Sequence, residues 1–154
     1  MKKMSNILLS SSLDEIGSIV SRFQASGKVA IISDENVYDL YYERCRQSLD
    51  NAGFSIIGYK FKAGEKSKSV DTYIKILEFL AQNRLTRSDS IIALGGGVTG
   101  DLAGFVSATY LRGVKLFQIP TTVLSMVDSS IGGKTGINLE SGKNLAGAFY
   151  MPEI

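Results

Sequence analysis

The feature that most constrains the fold is an alternation of short apolar runs with longer segments of helical periodicity. Apolar runs rich in β-branched residues lie at residues 28–33, 54–61, 90–94 and 114–119. Apolar side chains recur at helical spacing over residues 37–52, 70–83 and 98–110. Each strand-plus-helix unit takes roughly 25–30 residues, which is typical of parallel sheets covered by helices. The sequence therefore predicts an α/β fold with an open, mostly parallel sheet and helices on both faces.

The N-terminal segment predicts one further strand and one further helix. Residues 6–10 form a short apolar run bounded by polar residues, which favours a first strand. Apolar residues then recur at helical spacing over residues 13–23. Ser12 is the expected N-cap of this helix, and Gly27 is its expected stop.

The regular alternation ends at Pro120. Residues 121–130 predict a short helix, and residues 131–143 predict a glycine-rich hairpin or loop. No closing helix follows Met151. We therefore expect residues 1–154 to be a single α/β domain, and its ending looks like a cut in a longer chain.

Composition excludes several classes of function. The net charge of +2, from 17 basic and 15 acidic residues, gives no reason to expect binding to nucleic acid or to a membrane. There is no histidine, and Cys45 is the only cysteine, so we expect no metal site in this chain. Because no signal peptide is recognisable, the expected location is the cytoplasm.

Glycine is concentrated in the second half of the chain, where eleven of the sixteen glycines follow Leu94. Residues 95–100 fit the pattern G-x-G-x-x-G between a predicted strand and a predicted helix. Glycines at such a turn let backbone N–H groups meet a pyrophosphate. The usual dinucleotide fingerprint follows the first strand of its fold, whereas this turn follows a later one. A tight turn without a ligand remains the alternative, with Asp101 as a simple helix cap.

A second group of polar residues lies near the end of the chain. Asp128, Lys134, Lys143 and Asn144 stand among glycines and hydroxyl residues, and Arg112 precedes them between a helix and a strand. Cations mixed with glycines and hydroxyls suit a small molecule that carries phosphate or carboxylate. The alternative interpretation is a set of solvated loop charges.

Four polar segments are expected at one edge of the sheet, because ligands of open α/β sheets bind beyond the carboxyl ends of the strands. These segments are residues 34–36, 63–68, 95–100 and 120–122. Their convergence predicts a site for a ligand of nucleotide size. Each segment alone has a simpler interpretation, such as an N-cap for Asp34 or a surface ion pair for Glu65 and Lys68.

Several motifs together resemble the 3-dehydroquinate synthases. They are GGGVTGDLAGF at residues 95–105, Arg112, PTTVL at 120–124, DSSIGGKTGIN at 128–138 and GKNLAGAFY at 142–150. The upstream loops at residues 34–37 and 64–69 also look like matching loops of the family. The resemblance covers nearly the whole chain but only about the first half of the family's length.

The resemblance implies a Rossmann-like NAD-binding domain, followed in the family by a helical metal-binding domain that this chain lacks. It implies conversion of 3-deoxy-arabino-heptulosonate 7-phosphate to 3-dehydroquinate, with release of phosphate, in the shikimate pathway. The implied cofactor-binding residues are Asp34, Asn36, Gly64, Glu65, Lys66, Ser67, Lys68, Gly96, Gly97, Val98, Thr99, Gly100, Asp101, Thr121, Thr122, Asp128, Lys134 and Lys143. The implied catalytic or substrate residues are Arg112, Asp128, Lys134, Lys143 and Asn144.

The same resemblance implies what this chain does not supply. The family holds Zn²⁺ or Co²⁺ with one glutamate and two histidines of its C-terminal half, and this chain has no histidine. The chain alone is therefore expected to be inactive. The family also implies a homodimer in which Arg112 reaches the phosphate group of the substrate in the neighbouring subunit.

Three alternatives remain open at this point. The first is another sugar-phosphate cyclase, such as an aminodehydroquinate or inosose synthase. The second is an NAD-dependent dehydrogenase of the glycerol dehydrogenase or iron-containing alcohol dehydrogenase type. The third is a non-catalytic nucleotide-binding module, which would have no use for the substrate contacts expected of Arg112, Lys134 and Asn144.

Overall fold

A four-stranded parallel sheet forms the centre of the molecule, in a computed structural model that describes residues 7–10 and 12–154. The strands of the sheet are β1 (Lys28–Asp34), β2 (Ser55–Phe61), β3 (Ser90–Gly95) and β4 (Lys115–Pro120). Their order is β2-β1-β3-β4, and every neighbouring pair is parallel. The predicted α/β fold is confirmed.

Helices cover both faces of this sheet, as the sequence predicts. The helices are α1 (Ile16–Ser21), α2 (Glu35–Asn51), α3 (Val70–Gln82), α4 (Gly97–Thr109) and α5 (Val123–Val127). Alternate residues of β1 contribute to two separate cores, because successive strand side chains point to opposite faces. Ala30 and Ile32 pack with α3 and α4, whereas Val29 and Ile31 pack with α1 and α2. No helix among the described residues is long and apolar enough to cross a membrane.

Two of the predicted elements differ from the structure. Residues 7–10 form no strand, Leu9 is 99% exposed, and Asn6 lies outside the described residues. A short apolar run does not by itself specify a strand, and here the Ser12 side chain caps a 3-10 turn that leads into α1. For residues 131–143 the sequence predicts a glycine-rich hairpin or loop. The structure has a hairpin there, and it extends well beyond residue 143.

This hairpin consists of β5 (Lys134–Leu139) and β6 (Gly142–Phe149), which pair in antiparallel fashion. Thr135, Gly136 and Ile137 of β5 are buried, and Ile137 joins the core that contains α4. The close approach of β5 to α4 depends on Gly104 of α4, since a methyl group there would lie 2.3 Å from Thr135 Cγ2. The hairpin is therefore held against the same helix that begins at the glycine turn.

Asp89 organises the opposite, amino-terminal edge of the sheet. Its carboxylate accepts hydrogen bonds from Lys28 N at 2.7 Å, Thr86 N at 2.6 Å and Thr86 Oγ1 at 2.8 Å. Burial alone would raise the pKa of Asp89, but the hydrogen bonds from Lys28 and Thr86 outweigh it and hold the pKa below its usual value. Asp89 therefore ties the start of β1 to the turn before β3.

Asp89→Ala is expected to lower the free energy of unfolding by about 3 kcal/mol at pH 7, because two partly buried backbone donors lose their acceptor. A group with a lowered folded pKa contributes stability above its unfolded pKa and loses it as the pH falls through the folded pKa. The difference between wild type and variant in urea unfolding should therefore shrink between pH 5 and pH 3. An unchanged difference across that range would contradict this role for Asp89.

Candidate functional site

The strand order creates a switch point between β1 and β3. The chain leaves β1 toward β2 on one side, and it leaves β3 toward β4 on the other. Ligands of open α/β sheets bind in the crevice where the direction reverses, at the carboxyl ends of the strands. Asp34 ends β1, and Gly95 ends β3. The glycine turn thus lies at the switch point although it follows the third strand of the sheet.

Asp34 is the N-cap of α2, as the simpler interpretation of this residue predicts. Its Oδ1 accepts hydrogen bonds from Asn36 N at 3.1 Å and Val37 N at 3.2 Å, so it caps α2. Its other oxygen accepts a weak hydrogen bond from Thr99 Oγ1 at 3.4 Å. Asp34 therefore connects the two sides of the switch point.

The glycine turn leaves polar groups without protein partners. Gly96 precedes α4 and gives that helix no side-chain cap, and the first N–H groups of an uncapped helix are available to an anion. Ser129 Oγ and Thr121 Oγ1 are buried without a hydrogen-bond partner among the described residues. A methyl group on Gly97 would lie 3.7 Å from Ser129 Oγ, so this hydroxyl lies beside the start of α4. Such groups can donate hydrogen bonds to an anion such as a phosphate.

Lys68 is the buried centre of the polar network, with a side chain only 4% exposed. Its ammonium group forms an ion pair with Asp101 of α4 and donates a hydrogen bond to Asn144 Oδ1 in the hairpin. Burial raises the pKa of the Asp101 carboxyl, although Lys68 acts in the opposite direction. The alternative interpretation of Glu65 and Lys68 as a surface ion pair is therefore wrong, and Asp101 forms this ion pair rather than acting as a simple helix cap.

A cleft of about 850 Å³ opens between α4, α5 and the hairpin. The predicted site residues that line it are Glu65, Lys68, Gly97, Val98, Asp101, Asp128, Lys134, Lys143 and Asn144. Lys134 and Lys143 are exposed there and form no ion pair with a described residue. Asp128 is exposed at the end of α5. The cleft therefore combines cations, which attract an anionic group, with carboxylates, which accept hydrogen bonds from hydroxyl groups.

The other predicted site residues lie outside the cleft lining. They are Asp34, Asn36, Gly64, Lys66, Ser67, Gly96, Thr99, Gly100, Arg112, Thr121 and Thr122. Most of them belong to the switch point or to the loop after β2. Arg112 lies elsewhere, because it follows the C-terminal end of α4, about 20 Å from the glycine turn. It is exposed, and the backbone at Leu111 and Arg112 has positive φ values of 50° and 66°.

Sequence reasoning missed two polar contributors to the site. Ser129 is one of several hydroxyl residues near Asp128, and only the fold shows that its Oγ is buried beside Gly97. Asn138 lies at the end of the motif at residues 128–138, but its contacts with Glu65 and Asn144 depend on the hairpin. Neither position carries a local signal, since serine and asparagine are common in glycine-rich loops.

A match to a family model shows to which protein family the chain belongs. The model of the 3-dehydroquinate synthase N-terminal domain matches residues 58–154, which include the glycine turn and the entire hairpin. The chain belongs to the 3-dehydroquinate synthase family. A curated 3-dehydroquinate synthase from Streptococcus suis is 51% identical over 142 residues. That match covers 92% of this chain and 40% of the relative, so the chain spans well under half of that relative's length.

Solved structures support the same fold at lower identity. A 2-deoxy-scyllo-inosose synthase complexed with carbaglucose-6-phosphate, NAD⁺ and Co²⁺ is 31% identical, with a TM-score of 0.82 over 89% of this chain and 38% of that one. A 2-epi-5-epi-valiolone synthase from Streptomyces hygroscopicus with NAD⁺ and Zn²⁺ is 25% identical, with a TM-score of 0.85 over 99% of this chain and 42% of that one. The predicted Rossmann-like fold is confirmed by these members of the synthase group.

The residues present here do not fit the metal that those structures contain. The chain has no histidine, and the described residues include no cluster of three or more histidine, cysteine, aspartate or glutamate side chains placed to hold a metal ion. No catalytic step through a metal can therefore be assigned to the residues of this chain.

Proposed function

We propose that this chain is the NAD-binding part of a 3-dehydroquinate synthase of the shikimate pathway. The observation that carries the proposal is the single cleft in which the loop after β2, the glycine turn after β3 and the β5–β6 hairpin meet. The full enzyme would convert 3-deoxy-arabino-heptulosonate 7-phosphate to 3-dehydroquinate and phosphate. The 51% identity to a curated synthase supports this substrate over that of the cyclase with 31% identity.

In this proposal the switch point binds the dinucleotide. The uncapped start of α4 and the unpartnered Ser129 hydroxyl would hold the pyrophosphate, and Lys68 and Asp101 would position the adjoining ribose. Residues 34–36 and 64–68 would hold the adenosine end. NAD, when bound, supplies reversible acceptance of a hydride at the nicotinamide.

The hairpin side of the cleft would hold the substrate. Lys134 and Lys143 are cations without an ion-pair partner among the described residues, and each would attract the phosphate or carboxylate of the substrate. Asn144 would contribute its amide. Asp128, exposed at the same cleft, would accept a hydrogen bond from a ring hydroxyl and fix its orientation toward the nicotinamide end.

Three further parts of the proposal concern the complete enzyme. The Zn²⁺ or Co²⁺ would be bound by a part of the enzyme outside these residues, so that this chain alone is inactive. The enzyme would be a cytoplasmic homodimer. Arg112, exposed at the opposite end of α4 from the glycine turn, would reach the substrate of the second subunit.

The catalytic part of the proposal is tested with a chimaera in which residues 1–154 replace the matching part of the Streptococcus suis synthase. We expect release of inorganic phosphate from 3-deoxy-arabino-heptulosonate 7-phosphate, dependent on added NAD, and loss of that release in Lys134→Ala. A folded chimaera that releases phosphate only from a hexose 6-phosphate would instead support another cyclase. Release of phosphate by the 154-residue chain alone would contradict its expected inactivity.

A further inference from the structure

Asn138 joins two parts of the molecule that are far apart in sequence. Its Nδ2 donates a hydrogen bond to Glu65 Oε1 at 2.8 Å, and its backbone N–H donates to Lys68 O at 2.9 Å. Ser69 and Asn138 also form an isolated parallel bridge. The end of β5 is thus attached by both side chain and backbone to the loop that follows β2.

The same side chain also fixes the hairpin turn. Asn138 Oδ1 accepts a hydrogen bond from Asn144 N at 2.9 Å. Asn144 has a φ of 55°, in the left-handed region that asparagine tolerates better than most residues. In this conformation its side-chain oxygen accepts the hydrogen bond from the Lys68 ammonium. Lys68, Asn138 and Asn144 therefore form a closed ring of contacts.

Both ends of the Asn138 amide are used, and they require different chemistry. The Nδ2 group must donate, because Glu65 presents a carboxylate oxygen, whereas Oδ1 must accept, because Asn144 presents an N–H group. Only an uncharged side-chain amide of this length meets both requirements here. Leucine or alanine at this position would lose both bonds, and aspartate would place a second carboxylate against Glu65.

We propose that Asn138 is a positioning residue that couples the loop at residues 64–68 to the hairpin turn at Asn144. The two segments then form one unit, so that the residues expected to hold the dinucleotide and those expected to hold the substrate become ordered together. The proposal deepens the proposed function and rests on it only for the identity of the ligands. The coupling itself is a property of the chain without any ligand.

The test is a double-mutant cycle between Asn138→Asp and Glu65→Gln. Asn138→Asp retains the acceptor for Asn144 but replaces the donor toward Glu65 with a negative charge. Adding Glu65→Gln restores a donor–acceptor pair in the reverse direction. Asn51→Asp, at the exposed end of α2, is the matched control for the added charge. A double-mutant cycle isolates this pairwise interaction from general destabilisation.

The first readout is amide hydrogen exchange in the ligand-free chain. Ser67 N donates to Gly64 O and Lys68 N to Glu65 O, each at 3.1 Å, so these amides report on the loop while Asn144 N reports on the turn. We expect Asn138→Asp to accelerate exchange at all three amides about tenfold, and the double variant to restore most of the protection. Equal acceleration with and without Glu65→Gln, or acceleration confined to Asn144, would overturn the proposal.

The second readout is NAD titration of the four proteins of the cycle, which are wild type, Asn138→Asp, Glu65→Gln and the double variant. We expect Asn138→Asp to weaken NAD binding about tenfold in the wild-type background and less than about twofold in the Glu65→Gln background. Equal losses in both backgrounds would show a merely structural role and overturn the coupling. Because exchange is measured without ligand, a chain that fails to bind NAD would count against the proposed function while the exchange result still decides the coupling.

Discussion

Lys68→Ala is expected to weaken NAD binding about 100-fold, equivalent to about 2.7 kcal/mol, and also to destabilise the chain. Its buried ammonium group holds Asp101 and Asn144 together, so its loss removes this polar link between α4 and the hairpin. Removing one partner of a buried ion pair leaves the other charge uncompensated, which costs about 3 kcal/mol. Isothermal calorimetry with NAD and urea unfolding of the same preparation measure the two effects.

The control for this variant is Lys62→Ala, which removes the same charge from an exposed position near the start of the same loop. We expect it to change the free energy of unfolding by less than about 0.5 kcal/mol. If both lysine variants lose the same NAD affinity, the effect is one of net charge, and the buried ion pair has no special role.

Gly97→Val is expected to weaken NAD binding at least about 100-fold while changing stability by less than about 1 kcal/mol. Gly97 is the first residue of α4 and lines the cleft, where a side chain would fill the space through which a pyrophosphate approaches the backbone. A first side-chain atom there makes only an ordinary contact, 3.7 Å from Ser129 Oγ. The fold therefore has room for it in the absence of ligand.

Ala108→Val is the control for the change in helix propensity, because it adds a branched side chain near the far end of the same helix. It should retain wild-type NAD affinity. A Gly97→Val protein that binds NAD as tightly as wild type would place the pyrophosphate away from the glycine turn.

The order of strands and helices was predictable because each element carries its own pattern. Ile31 and Ile92, both fully buried, belong to apolar runs whose composition suits a strand covered on both faces. The convergence of polar segments at the carboxyl ends of the strands follows from parallel connectivity alone. The prediction of a strand at residues 6–10 was wrong for the described residues 7–10. Nothing in this run shows whether a neighbouring strand exists to pair with it.

The internal arrangement of the candidate site was not predictable in the same way. Lys68 follows a polar loop and looks exposed in sequence, but the backbone of Asn138, seventy residues later, pairs with it and the hairpin covers it. The left-handed conformation of Asn144 likewise depends on the hydrogen bond that its N–H donates to Asn138 of the neighbouring strand. Such contacts are set by tertiary packing, which local propensity does not encode.

The central claim is that the switch point and the hairpin together form an NAD site, and calorimetric titration of the 154-residue chain with NAD tests it most directly. We expect one site per chain with a dissociation constant of about 10 μM, equivalent to about −7 kcal/mol. The same affinity class should appear in the chimaera with the Streptococcus suis synthase. Absence of binding at millimolar NAD in both the chain and the folded chimaera would contradict the claim.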